Sequence, residues 1–277
     1  MSGRILVTGG TGKTATPLLR RLDQAGWATR SASRTAAQPG SVAFDWHDDQ
    51  GHDKALAEVD RIYLVAPTGS QTPIDVMEPF IERALSQGVR RFVLLSSSLI
   101  DEGGPAMGAV HALLRRRAPE WAVLRPSWFM ENFSEGPHQQ TIVNENVIFS
   151  ATDDGQVPFI TAADIAETAF SVLTNEQAPN TDLLLTGSAA ISYDQAAAII
   201  GLARGRSVQH IRLSEAAQAA RFEVGGVPPG FARMLAGLDR AIATGAENRT
   251  TSVVASVTGR EPVSFETFAA RHASVWR

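Results

Sequence analysis

Over residues 1–175, short apolar runs alternate with stretches of helical periodicity. The runs Arg4–Thr8, Ala28–Ser31, Val42–Asp45, Arg61–Ala66, Arg91–Ser96 and Trp121–Arg125 are short and mostly apolar, as expected of strands covered on both faces. Lys13–Ala25, Lys54–Glu58, Ile74–Ser86 and Met107–Arg117 read as the helices between them. Gly26 and Gly88 stand where the first and third of these should stop, since glycine accepts the left-handed backbone of a helix end. Strand and helix in strict alternation predict a parallel sheet with helices on both faces.

After Arg125 the rhythm breaks. Pro126–Phe133 is an aromatic-rich connection, polar residues follow through Gln140, and Val147–Phe149 reads as a short strand. A further βα piece, Val157–Thr161 into Ala163–Leu173, leads to a strand at Thr181–Thr186. From Ile191 onward the expected elements are mainly helical: Tyr193–Ala203, Leu213–Arg221, Phe231–Ala243 and Phe265–Trp276. The Gly225–Gly230 stretch (GGVPPG) interrupts them with a composition suited to a hinged lid. The expected architecture is α/β, a Rossmann doubly wound parallel sheet with a smaller, mostly helical C-terminal substrate domain. Residues 1–135 would form the dinucleotide-binding domain, with 157–186 returning to it; 187–277 plus 136–156 would form the substrate part.

Composition narrows the partners. The chain has 277 residues, 44% of them apolar and 19% charged, which is globular. A formal charge of −4 gives no basic face for nucleic acid. The run Arg115–Arg117 fits a solvated helix end. There is no cysteine, which excludes disulfides and thiolate catalysis, and no metal is expected. The chain enters a strand-like run after three residues, so no signal peptide is expected. No apolar run approaches the ~18 residues of a membrane span. A cytoplasmic monomer or homodimer acting on a small molecule is the expectation.

The strongest motif is Thr8-Gly9-Gly10-Thr11-Gly12-Lys13-Thr14-Ala15, which follows one strand and opens a helix. Gly9 can make the tight turn, Gly12 can admit a pyrophosphate close to the backbone, and Ala15 lets the helix pack near the strand. The anion would sit on free N–H groups at the helix start, where the macrodipole favours it, and Thr11, Lys13 and Thr14 join the expected cofactor contacts. A Walker A loop is excluded, because Val7 stands where that pattern needs its first glycine. An NAD-preferring unit usually ends its second strand on Asp or Glu; here the region reads Arg30-Ser31-Ala32-Ser33-Arg34. Arg34 can fork onto a 2′-phosphate and Ser33 can add a hydrogen bond, which favours NADPH, with NADH as the alternative.

The glycine loop, the Leu94–Ser98 strand end and Leu124–Phe133 (LRPSWFMENF) together resemble the NmrA-like atypical short-chain dehydrogenases/reductases. The likeness continues through Val157–Ala166 and Leu184–Gly187, and the ending Thr258–Pro262 is most similar to the ergot-alkaloid-reductase branch. The resemblance implies adenine-side contacts at Asp45 and Trp46. Ala66, Pro67, Ser96, Pro126, Trp128 and Phe129 complete the expected cofactor-contacting set.

The superfamily's usual Tyr-x-x-x-Lys pair is missing. The only tyrosines are Tyr63 and Tyr193, with Pro67 and Ala197 four residues on, and the only lysines are Lys13 and Lys54. Both tyrosines read as packing residues. Ser97 and Ser98 stand where the superfamily keeps a hydroxyl partner for a developing alkoxide. Asn132, and beside it Glu131, can shape the nicotinamide end. His111 reads as a helix-surface residue or a donor, and Asp164 as a helix N-cap or a site group. The resemblance implies an NADPH-dependent reductase of a ketone or iminium in a polycyclic or aromatic secondary metabolite, taking its proton from substrate or solvent. A non-catalytic NADP(H)-sensing regulator is the alternative.

Overall fold

A computed structural model describes residues 3–36 and 40–277. In chain order its first elements are β1 (Arg4–Thr8), α1 (Ala15–Gln24), β2 (Ala28–Ser33), β3 (Ser41–Ala43), α2 (His52–Leu56), β4 (Val59–Leu64), α3 (Ile74–Ser86), β5 (Arg91–Leu95), α4 (Met107–Arg117) and β6 (Glu120–Pro126). Then come α5 (Glu131–Ser134), α6 (Gln139–Glu145), β7 (Val147–Ser150), β8 (Gln156–Val157), α7 (Ala162–Thr174), β9 (Thr181–Leu185), β10 (Ile191–Ser192) and α8 (Tyr193–Arg204). The chain closes with β11 (Gln209–Arg212), α9 (Glu215–Val224), α10 (Pro229–Ala243), α11 (Val253–Thr258) and α12 (Phe265–His272).

The chain divides into two compact units. The first comprises Met1–Pro126, Ala162–Leu185 and Ser256–Gly259; the second comprises Ser127–Thr161, Thr186–Ala255 and Arg260–Arg277. The division falls at Pro126, nine residues before the expected 135. It also leaves residues 157–161 with the second unit and moves 256–259 to the first.

The first unit holds a seven-stranded sheet in the order β3-β2-β1-β4-β5-β6-β9, parallel throughout. The order reverses at β1, and in such sheets the crevice beyond the strands' carboxyl ends at that point is the ligand site. The central strands are buried on both faces, with Ile5, Leu6 and Val7 fully covered. α1 ends where Gly26 turns to φ +76°, a conformation costly for any residue with a Cβ. The C-terminal end of α7 is tied to the sheet by Arg91, which is 2% exposed. It pairs with Glu120 at 2.6 Å and donates to the carbonyls of Val172, Leu173 and Asn175. A buried cation is tolerable only when its donors are this fully used.

The second unit is built around rings. Phe133, Phe159, Tyr193 and Phe265 pack with centroids 5.1–5.8 Å apart, and Trp276 donates its indole N–H to the carbonyl of Phe133. It carries two small sheets, the parallel pair β7–β11 and the antiparallel pair β8–β10. β11 lies where no element was expected, and the expected strand at Val157–Thr161 is two residues long and outside the main sheet. The GGVPPG stretch is the turn between α9 and α10, and Pro229 opens α10, where its missing N–H costs nothing. No helix among the described residues is long and apolar enough to cross a membrane.

Candidate functional site

β1 delivers the chain into Gly9, whose φ of +63° lets the loop turn sharply off the strand. The N–H of Gly10 donates to Ala32, and that of Gly12 donates back to Gly9 at 2.7 Å. Gly12 is therefore not a free donor. Its absent side chain matters instead, since a Cβ there would meet the carbonyl of Gly9 at 3.0 Å and occupy the loop's mouth. At Gly10 a Cβ would lie 1.9 Å from the Ser31 hydroxyl, so this glycine seats the loop against β2.

Above the loop lies a cavity of about 370 Å³. Gly9, Thr11, Gly12, Ser33, Arg34, Asp45, Trp46, Ala66 and Pro67 line it. All were expected among the cofactor contacts, from the glycine motif, the end of the second strand and the family resemblance. Trp46 is fixed by its indole N–H to the Val65 carbonyl at 3.1 Å and by the edges of Phe44 and Phe80. Asp45 accepts the His47 N–H at 2.9 Å, which shapes the turn after β3. Arg34 is exposed and makes no hydrogen bond or salt bridge among the described residues. Phe44, His47, Val65 and Thr68 also line the cavity and were not anticipated. Their only signal is adjacency to a strand end.

A family model described as NAD(P)H-binding matches residues 8–176. The chain belongs to this family. Over 275 residues it is 43% identical to the oxidoreductase YesF of Bacillus subtilis, covering 98% of this chain and 96% of that one. It is 40% identical to the agroclavine dehydrogenase of Claviceps fusiformis, covering 98% of each. Among solved structures, the NADPH complex of the quinone oxidoreductase QOR2 of Escherichia coli superposes with a TM-score of 0.83 at 21% identity. That match covers 96% of this chain and 99% of that one, and it supports the fold. This member of the NAD(P)H-binding oxidoreductases thus has a Rossmann sheet with its glycine loop at the reversal point, and a dinucleotide bound there would meet the cavity just described.

Other expected residues fall elsewhere. Thr14 is 3% exposed, and its hydroxyl accepts from Tyr63 at 3.1 Å instead of facing the loop's mouth. Lys13 does not line the cavity, and the Ser33 hydroxyl donates to the Thr35 carbonyl at 2.8 Å. In the first unit, Ser96 and Ser98 are buried and Ser97 is half-buried just beyond β5. The Ser98 N–H donates to Pro126, which is itself buried, and its carbonyl accepts from Arg125. The Oγ of Ser96 has no partner among the described residues. Trp128, Phe129 and Asn132 lie in the second unit. Phe129 bridges to Ile160 in parallel, and the half-buried side chain of Asn132 makes no hydrogen bond among the described residues.

Two further readings change. His111 is not on the helix surface: it is 3% exposed, tilted against Trp121, and burial lowers its pKa. Asp164 lies inside the first turn of α7, 1% exposed, and not at its cap. Tyr63 and Tyr193 are both core residues, 0% and 2% exposed, and burial pushes both phenols up, away from proton donation at neutral pH.

Proposed function

We propose that the chain is an NADPH-dependent reductase of a ketone or iminium carbon in a polycyclic or aromatic secondary metabolite. The nicotinamide supplies the hydride; the protein orients cofactor and substrate. The observation that carries this reading is the placement of Arg34. An exposed guanidinium without an ion-pair partner among the described residues lines the glycine-loop cavity just past β2. Such a fork matches a 2′-phosphate bidentately. Asp45 lines the same cavity, and its Oδ1 is engaged by the His47 N–H. The agroclavine dehydrogenase relative supports a polycyclic substrate. Ser98 and Ser97 would contribute hydrogen bonds to the reacting group, and the buried tyrosines leave proton supply to the substrate or solvent.

Steady-state assays with NADPH and NADH against hydroxylated quinones, aryl ketones and cyclic iminium salts test this. NADPH oxidation with at least one class, and a clear preference over NADH, is expected. If NADPH binds but supports no reduction while changing affinity for a protein partner, the chain is a sensor and not a reductase.

A further inference from the structure

The second unit contains a cavity of about 410 Å³ between the segment after α5, strand β7 and the α9–α10 turn. That volume falls within the range of small-molecule sites, ~300–1,000 Å³. Two rings, Phe149 and Phe222, stand on its walls with Arg221, His138, Gln218 and Val227. The guanidinium of Arg221 lies over the Phe149 ring, 3.8 Å from the centroid. It makes no hydrogen bond or salt bridge among the described residues, so its planar N–H fork remains available.

A flat cation already stacked on an aromatic ring extends that ring's surface and offers donors along its edge. No Asp or Glu is among the described residues on these walls. His138 adds no charge, because burial, with His210 and Arg221 near, holds its imidazole down at about 4. The Gln218 side chain is 3% exposed, and its Oε1 has no partner among the described residues. Acceptor oxygens and planar rings suit this cavity; a fixed positive charge does not.

We propose that this cavity binds an oxygenated aromatic ring system, neutral or anionic, with its acceptor oxygens on the Arg221 fork and its rings against Phe149 and Phe222. The assignment rests on the reductase reading and selects within it: phenolic or quinonoid ketones fit, cationic iminium salts do not.

A charge ladder of one ring size tests it. Calorimetric titration of the NADPH-loaded protein with 9-anthracenecarboxylate, 9-anthracenemethanol and N-methylacridinium should give affinities in that order. The anion should lead the cation by about tenfold or more. Arg221→Gln should bring the three within about threefold of one another at unchanged Tm and unchanged NADPH affinity. Val227→Trp, which fills the cavity, should abolish binding of all three. An acridinium as tight as the carboxylate, an Arg221→Gln variant that keeps the order, or probe binding that survives Val227→Trp overturns the proposal. Reduction is read separately: a protein that binds the ladder in this order but reduces no carbonyl or iminium defeats the reductase reading and leaves the cavity assignment standing.

Discussion

The hydroxyl of Tyr63 donates to Oγ1 of Thr14 across 3.1 Å, with both side chains almost wholly buried. The same strand residue also holds the start of the glycine loop, because Thr8 Oγ1 donates to the Tyr63 carbonyl at 3.1 Å and accepts the Val65 N–H at 2.8 Å. Entry and exit of the loop are therefore pinned to β4. Tyr63→Phe should weaken NADPH and NADH alike by about two- to tenfold, the worth of one net hydrogen bond. Thr14→Ser should retain affinity and Thr14→Val should lose it. Turnover at saturating NADPH should stay within about tenfold in the double variant Tyr63→Phe, Tyr193→Phe, because general acid catalysis is worth ~100-fold or more. A larger loss in a folded, NADPH-binding variant would make one of these tyrosines the acid.

The glycine positions give a sharper contrast. Gly12→Val should place its side chain at the loop's mouth, against Gly9, and abolish dinucleotide binding with the fold intact. Gly10→Ala points the other way, into Ser31, and should cost stability, about 1–3 kcal/mol for an overpacked site. Calorimetric NADPH titration and thermal melts of both variants separate the two effects. Wild-type affinity in Gly12→Val would remove the pyrophosphate from this loop.

How far the sequence carries can be read from these elements. β1, β4, β5 and β6 were legible because strands buried on both faces show as near-continuous apolar runs, which the polar, partly exposed β2 does not, and the glycine loop was legible because its context is strand then helix. β11 was not, since Gln209-His210-Ile211-Arg212 carries no apolar run and owes its extension to β7. Nor could the sequence show that Ser256–Gly259 belongs with the first unit, a contact between distant segments. The cavity residues at strand ends were legible by position. The part of the Thr14 hydroxyl was not legible, since only the fold shows that Tyr63 donates to it. His111 was misplaced because a histidine on a charged helix looks solvated until Trp121 covers it.

The proposed reading gives Arg34 the choice between the two cofactors. Arg34→Ala should weaken NADPH by roughly 1.5–3 kcal/mol, the range for a hydrogen bond to a charged group, and leave NADH nearly unchanged. Fluorescence titration with both cofactors checks this. Equal losses would show that Arg34 contacts a part common to both dinucleotides.

Two groups of the second unit, half-buried His138 and buried Asp239, shape its acid response in opposite directions. Burial lowers His138 from 6.5 to about 4, so the folded state resists its protonation and stability is lost as pH falls from 6.5 toward 4. Burial raises Asp239 from 3.8 to about 6 despite the Ala151 N–H at 2.9 Å. The folded state favours its protonation, so this group adds stability as pH falls from 6 toward 3.8. Denaturant melts between pH 7 and pH 4 should therefore show a shallower acid decline in His138→Gln than in wild type, and a steeper one in Asp239→Asn. Parallel curves for all three proteins would mean that neither group is shifted.

The proton that completes the reduction provides the last test. Both phenols are in the core with raised pKa values, and no lysine stands four residues beyond either. His111 is buried with its Nδ1 unpartnered among the described residues and its pKa lowered by burial, so it is a poor acid at neutral pH. Ser98 can hydrogen-bond an alkoxide but cannot supply a net proton. The proposed reading therefore takes the proton from a hydroxyl on the substrate, or from water. With an aromatic ketone that carries an adjacent phenol, methylating that phenol should slow turnover at saturating NADPH by about 100-fold or more, the usual worth of general acid catalysis. Ser98→Ala should cost less than that, and His111→Ala should leave the rate within about tenfold. A solvent isotope effect that vanishes in the methyl ether would place the transferred proton on the phenol. If the ether reacts normally and either single variant stops turnover, the proton comes from the protein and the substrate-assisted route is wrong.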